Sequence, residues 1–95
     1  MSIQIENNRG FVGAFIPKSV SARLVSFDDE MMHVSLADGR IISTPLAWFP
    51  RLQNASTEAR QNYEISPSGY GIHWPDVDED LSVAGLLAGA DTALL

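Results

Sequence analysis

The chain contains no cysteine. Disulfides, thiolate metal sites and cysteine nucleophiles are therefore excluded, and burial alone must hold the fold. No apolar run approaches the roughly 18 residues that a membrane-spanning helix needs. The opening MSIQIENNRG has neither a basic n-region nor an apolar core, so no secretory signal is read there and the expected location is cytoplasmic. Without a secretory route the sequon NAS at 54–56 carries no meaning. There is no P-loop, no G-x-G-x-x-G and no G-x-S-x-G elbow, and no serine-plus-histidine arrangement in a recognisable context. Lysine and arginine are absent from residues 61–95 altogether.

That last absence shapes the charge map. The net charge is −6 over 95 residues. Residues 1–60 hold Glu6, Asp28, Asp29, Glu30, Asp38 and Glu58 against Arg9, Lys18, Arg23, Arg40, Arg51 and Arg60, and so cancel. Glu64, Asp76, Asp78, Glu79, Asp80 and Asp91 have no such partners. An acidic surface repels phosphates, which disfavours direct nucleic-acid binding and favours a basic protein partner. The plainer reading is that the acids serve solubility.

An apolar fraction of 45% is that of an ordinary globular chain, and the length suits one domain with one core. Residues 1–19 form an N-terminal extension, with FVGAFI (11–16) a candidate edge strand weakened by Gly10 and Gly13. VSARLVSF (20–27) and MMHVSLA (31–37) read as strands joined by a turn at Asp28–Glu30, with Met32, Val34 and Leu36 on one face. Asp38-Gly39 signals a two-residue type I′ hairpin into RIIST (40–44), which sets Leu36 opposite Ile41 and Val34 opposite Ser43. In TPLAWFPRL (44–52), Thr44 is expected to cap a helix and Pro45 to open it. Trp48, Phe49 and Leu52 are expected in the core, and Pro50 should divide the segment into two short turns. Ser56 caps a further helix that fades by Tyr63, and YEIS and GYGIHW read as two short strands around PSG. The last element is a helix in DEDLSVAGLLAG, capped by Asp78, Asp80 or Ser82, stopped at Gly89, and apolar at Val83, Leu86 and Leu87. The expectation is an α+β domain: an antiparallel three-stranded meander, covering helices and a second short strand pair.

DGRIISTPLAWFPRL, NASTEARQNYEIS and GIHWPDVDEDLSVAGLLAG resemble the small bacterial family known as domain of unknown function 2442 (DUF 2442), over roughly Val20 to Gly89. Tyr63 stands where that pattern often has tryptophan, and Thr57 where it often has proline. The resemblance implies a small α+β domain and brings no assigned reaction. It also implies pairing with another small protein, as in toxin–antitoxin modules. Some members carry a helix-turn-helix after this domain, which is not expected in this chain.

Candidate chemistry concentrates in GIHWPDVDED (71–80). Asp76, Asp78 and Asp80 mimic the start of a calcium loop, but Leu81 and Leu87 occupy the glycine and glutamate positions that such a loop requires. His73 lies between Ile72 and Trp74, so in a strand it points away from both, and His33 is on a different strand. The leading expectation is a non-enzymatic protein-binding module, without cofactor or membrane partner. Its contact surface would be His73, Asp76, Asp78, Glu79 and Asp80, with Arg51 pairing to the acids from the middle of the chain. The alternatives are a small metal-dependent hydrolase on His73 and Asp76, and a homo-oligomeric scaffold built on the apolar hairpin face or Leu94-Leu95.

Overall fold

A computed structural model of the chain describes residues 20–89. The candidate edge strand at 11–16, Asp91 and the Leu94-Leu95 tail lie outside the described residues. The first sheet is the expected meander of β1 (Ala22–Phe27), β2 (Met31–Leu36) and β3 (Ile41–Pro45), in the order β1-β2-β3. Alternation in β2 buries Met32, Val34 and Leu36 and turns His33 and Ser35 to the other face. The β1–β2 turn is closed by Asp28, whose Oδ1 accepts from the backbone N–H of Glu30 (2.9 Å) and Met31 (2.7 Å).

The β2–β3 hairpin differs from expectation by one residue. Gly39 takes a φ of 98°, but Asp38 stays out of the left-handed region. Its carboxylate instead accepts from the Arg40 N–H and Nε, at 3.0 and 2.9 Å. The loop therefore has three residues, with Gly39 N donating to the Leu36 carbonyl and Leu36 N to the Arg40 carbonyl, in the manner of a G1 bulge. Val34 now faces Ile42, not Ser43, and Ser35 faces Ile41. Ile42 turns toward the core while Ile41 is left 63% exposed on the outer face.

Thr44 does not cap a helix; it is buried in β3. Pro45 stands at the cap of a 3-10 turn (Leu46–Trp48) without a side-chain bond, and α1 (Pro50–Gln53) follows. Pro50 thus divides the segment as anticipated. Leu46, Phe49 and Leu52 enter the core, whereas Trp48 remains 48% exposed, contrary to its expected burial. Ser56 caps α2 (Thr57–Gln61) by accepting from the Ala59 N–H at 3.0 Å.

The second sheet has three strands, one more than expected: β4 (Glu64–Ile65), β5 (Gly71–Trp74) and β6 (Glu79–Ser82), all antiparallel. The acids therefore do not open a helix. Asp78 adopts a φ of 54° in the β5–β6 turn, which interrupts any helix there, and Glu79 and Asp80 continue as strand with Leu81 buried. Ser82 alone of the three candidates caps α3 (Val83–Ala88), accepting from Gly85 N at 2.9 Å. Gly89 ends it at a φ of 72°. Val83 and Leu86 are buried, but Leu87 is not.

Both sheets face one core. Trp74 is fully buried among Phe27, Tyr63 and the helical segment, and its Nε1 donates to the Arg60 carbonyl at 3.1 Å. Fully burying a large apolar side chain is worth about 1.5–3 kcal/mol. The seam between the sheets is polar. Ala22 N donates to the Gly69 carbonyl at 2.8 Å, and Val25 N, on the open edge of β1, donates to the Tyr63 hydroxyl at 3.1 Å.

Candidate functional site

Ile72 and Trp74 are both buried, so His73 projects from the outer face of the second sheet. It lies in register with Glu64 on β4 and Asp80 on β6, and directly opposed residues share a face. A row of carboxylate, imidazole and carboxylate therefore crosses the sheet. Val83 N bonds the Tyr70 carbonyl, which fixes the phase of the β5–β6 ladder and makes His73–Asp80 a non-hydrogen-bonded pair. Side chains approach most closely at such pairs, and His73 Nδ1 stands 2.8 Å from Asp80 Oδ1. The row lies in an open groove of ≈ 490 Å³ bounded by Glu64, Ile65, Ser66, Pro67, His73 and Asp80.

The β5–β6 turn holds Asp76 and Asp78, and Glu79 opens β6 opposite Trp74. Asp76 Oδ2 accepts from Asn62 Nδ2 at 3.1 Å, and Glu79 Oε2 accepts from the Asp80 N–H at 3.2 Å. Arg51 does reach the turn, but its Nη1 donates to the backbone carbonyl of Asp78, at 2.6 Å, and not to a carboxylate. Among the described residues, no lysine or arginine forms an ion pair with Glu64, Asp76, Asp78, Glu79 or Asp80; the one ionic contact in the group is with His73.

The structure brings His73 and Asp80 together on the outer face, with Asp76 and Asp78 in the adjoining turn and Glu79 opposite Trp74 on the inner face. It does not bring His73 to Asp76, the pair on which a hydrolase reading depended. Among the described residues no three histidine, aspartate or glutamate side chains converge as a metal-binding group. The apolar hairpin face of the scaffold reading is likewise spent, since Met32, Val34 and Leu36 are in the core. No helix among the described residues is long and apolar enough to cross a membrane.

A second constellation was not anticipated from the sequence. On the outer face of the first sheet, His33 Nδ1 is 2.7 Å from Ser43 Oγ and its Nε2 is 2.8 Å from Asp28 Oδ2. The His33 bond and the two backbone N–H groups on Asp28 lower that carboxyl from 3.8 to about 2. Alternation in β2 placed His33 outward, but the partner from β3 required the true hairpin register. A two-residue loop would set Thr44, not Ser43, opposite His33.

Known proteins supply a fold and a family without a reaction. A crystal structure of a protein of unknown function from Rhodospirillum rubrum is 32% identical with a TM-score of 0.67, covering 78% of this chain and 92% of that one. A solution structure of the uncharacterized protein CV0863 from Chromobacterium violaceum is 29% identical with a TM-score of 0.64, covering 75% and 67%. No curated protein matches the chain. The sequence profile of a family described as protein of unknown function (DUF2442) matches residues 22–92. The chain belongs to the DUF2442 family.

Proposed function

We propose that this domain is a protein-binding module whose contact surface is the acidic outer face of the second sheet and its β5–β6 turn. The supporting observation is the set of five carboxylates, Glu64, Asp76, Asp78, Glu79 and Asp80, without a lysine or arginine partner among the described residues. The partner is a second small protein with a basic surface, toxin-like in the antitoxin form of this reading. Its lysines or arginines would lie along the groove beside His73 and Asp80, with Arg51 holding the turn from behind. Contacts of this kind act mainly on encounter rate and specificity. An acidic face also disfavours nucleic acid as the partner.

The test is co-expression with the product of the adjacent gene, carrying the affinity tag on that product. A stoichiometric complex is expected, with amide chemical-shift changes concentrated at residues 64 and 71–82. Failure to co-purify, or shifts confined to the first sheet, contradicts the reading.

A further inference from the structure

The outer face of the first sheet carries its own chemistry, independent of the acidic face. Asp28 remains ionised down to about pH 2, so its carboxylate only accepts hydrogen bonds. The imidazole Nε2 facing it must therefore carry the proton. In the neutral ring Nδ1 is then the acceptor, and the hydrogen bond at 2.7 Å runs from the Ser43 hydroxyl to His33. This is the protonation pattern that general-base activation of a hydroxyl needs: base on the hydroxyl, carboxylate on the far nitrogen.

The sheet ladder holds the group in place. Leu36 N bonds the Arg40 carbonyl and Leu46 N bonds the Glu30 carbonyl, which makes His33–Ser43 a non-hydrogen-bonded pair with close side chains. The Ser43 N–H consequently points off the edge of β3, away from β2. One residue pair further along the same face, Leu24, Ser35 and Ile41 form a row in register, with Leu24 55% and Ile41 63% exposed. Two residues of strand separate the rows by roughly 7 Å. An acyl carbon at Ser43 would thus have an apolar strip within reach for a short chain.

We propose that Ser43, with His33 as general base and Asp28 as positioning residue, is a nucleophile toward activated esters bearing a short apolar acyl chain. In the step, Ser43 Oγ bonds to the acyl carbon and gives its proton to His33 Nδ1, while the carbonyl electron pair moves onto oxygen. When that pair returns, the bond to the leaving phenolate breaks and the phenolate departs with its electrons. The imidazolium, steadied by Asp28, then loses its proton to water. A single strand-edge N–H offers little to the oxyanion, which confines the reaction to good leaving groups.

The experiment incubates the full chain with p-nitrophenyl butyrate or acetate and maps the adduct by peptide mass spectrometry. One acyl group on Ser43 is expected, forming faster with butyrate. His33→Ala should slow it roughly 100-fold, and His33→Asn, which retains an amide near Ser43, serves if the alanine variant misfolds by circular dichroism. Leu24→Ser with Ile41→Ser should erase the butyrate preference, bringing the butyrate rate down to that of acetate. Acylation absent from Ser43, unchanged without the imidazole, or found on His33 alone overturns the proposal.

Discussion

His73 and Asp80 face each other across two strands at 2.8 Å, and neither belongs to a helix. The contact converts what reads in sequence as a run of capping acids into one side of a sheet. It also occupies the histidine with the acid two residues beyond Asp78 instead of with Asp76. The acids at positions 64 and 76–80 thus lie along strand and turn and not at a helix N-terminus.

The seam between the sheets depends on Gly69. Its φ of 82° is one that side chains rarely adopt, and a Cβ added there would collide with the Cβ of Ser21. Gly69→Ala is expected to cost about 2 kcal/mol or more in urea unfolding. Adding Ser21→Gly should recover only part of this, because it relieves the collision and not the dihedral angle. Full recovery would show that the backbone conformation is not strained.

Arg60 joins three parts of the fold. Its Nε and Nη2 donate to the carbonyls of Leu52 and Gln53 at 2.8 Å each, closing the end of α1, and its guanidinium lies 5.8 Å from the Phe27 ring centre. Arg60→Ala should destabilise by about 2–3 kcal/mol, the scale of charged hydrogen bonds at a partly buried site. Arg60→Lys should recover less than half, since one ammonium cannot reproduce the fork. Equal stability of the lysine variant and the parent would contradict this account.

Much of the first sheet was legible because strand alternation and turn chemistry are local. The cap at Ser56 and the stop at Gly89 were legible for the same reason, while Ser82 stood in the sequence as one of three candidate caps. What escaped depended on tertiary pairing. β6 is a strand because Leu81 finds its place opposite Ile72 and Asp78 turns left-handed, neither of which the cap signal in DEDLS reveals. The Asp38-Gly39 loop has one residue more than its turn signal predicts because Asp38 bonds Arg40 and stays out of the left-handed region, and the Ser43–His33 contact depends on that register. Arg51 reaches the β5–β6 turn but bonds a carbonyl there and not the expected carboxylate, and residue types alone do not separate the two.

Asp28 supplies a pH test of the first sheet. Its folded value is depressed, so its contribution to stability is complete above the ordinary 3.8 and is lost as pH falls through about 2. Carbon-detected titration of its carboxyl should give a midpoint near the lower figure. His33→Asn should move the midpoint upward, because the side-chain bond from His33 is the largest cause of the shift. A midpoint unaffected by that substitution would remove the histidine from the arrangement.

The most direct measurement is the association rate with the co-purified partner as ionic strength rises, for the parent and for a variant carrying Asp78→Asn, Glu79→Gln and Asp80→Asn. None of the three is buried, and the main contact given up is the exposed one between Asp80 and His73, so stability should change by no more than about 1 kcal/mol. The expected result is slower association of the variant at low salt and convergence of the two rates as screening shortens the reach of the charges. Equal rates at every salt concentration would contradict an acidic sheet face as the binding surface.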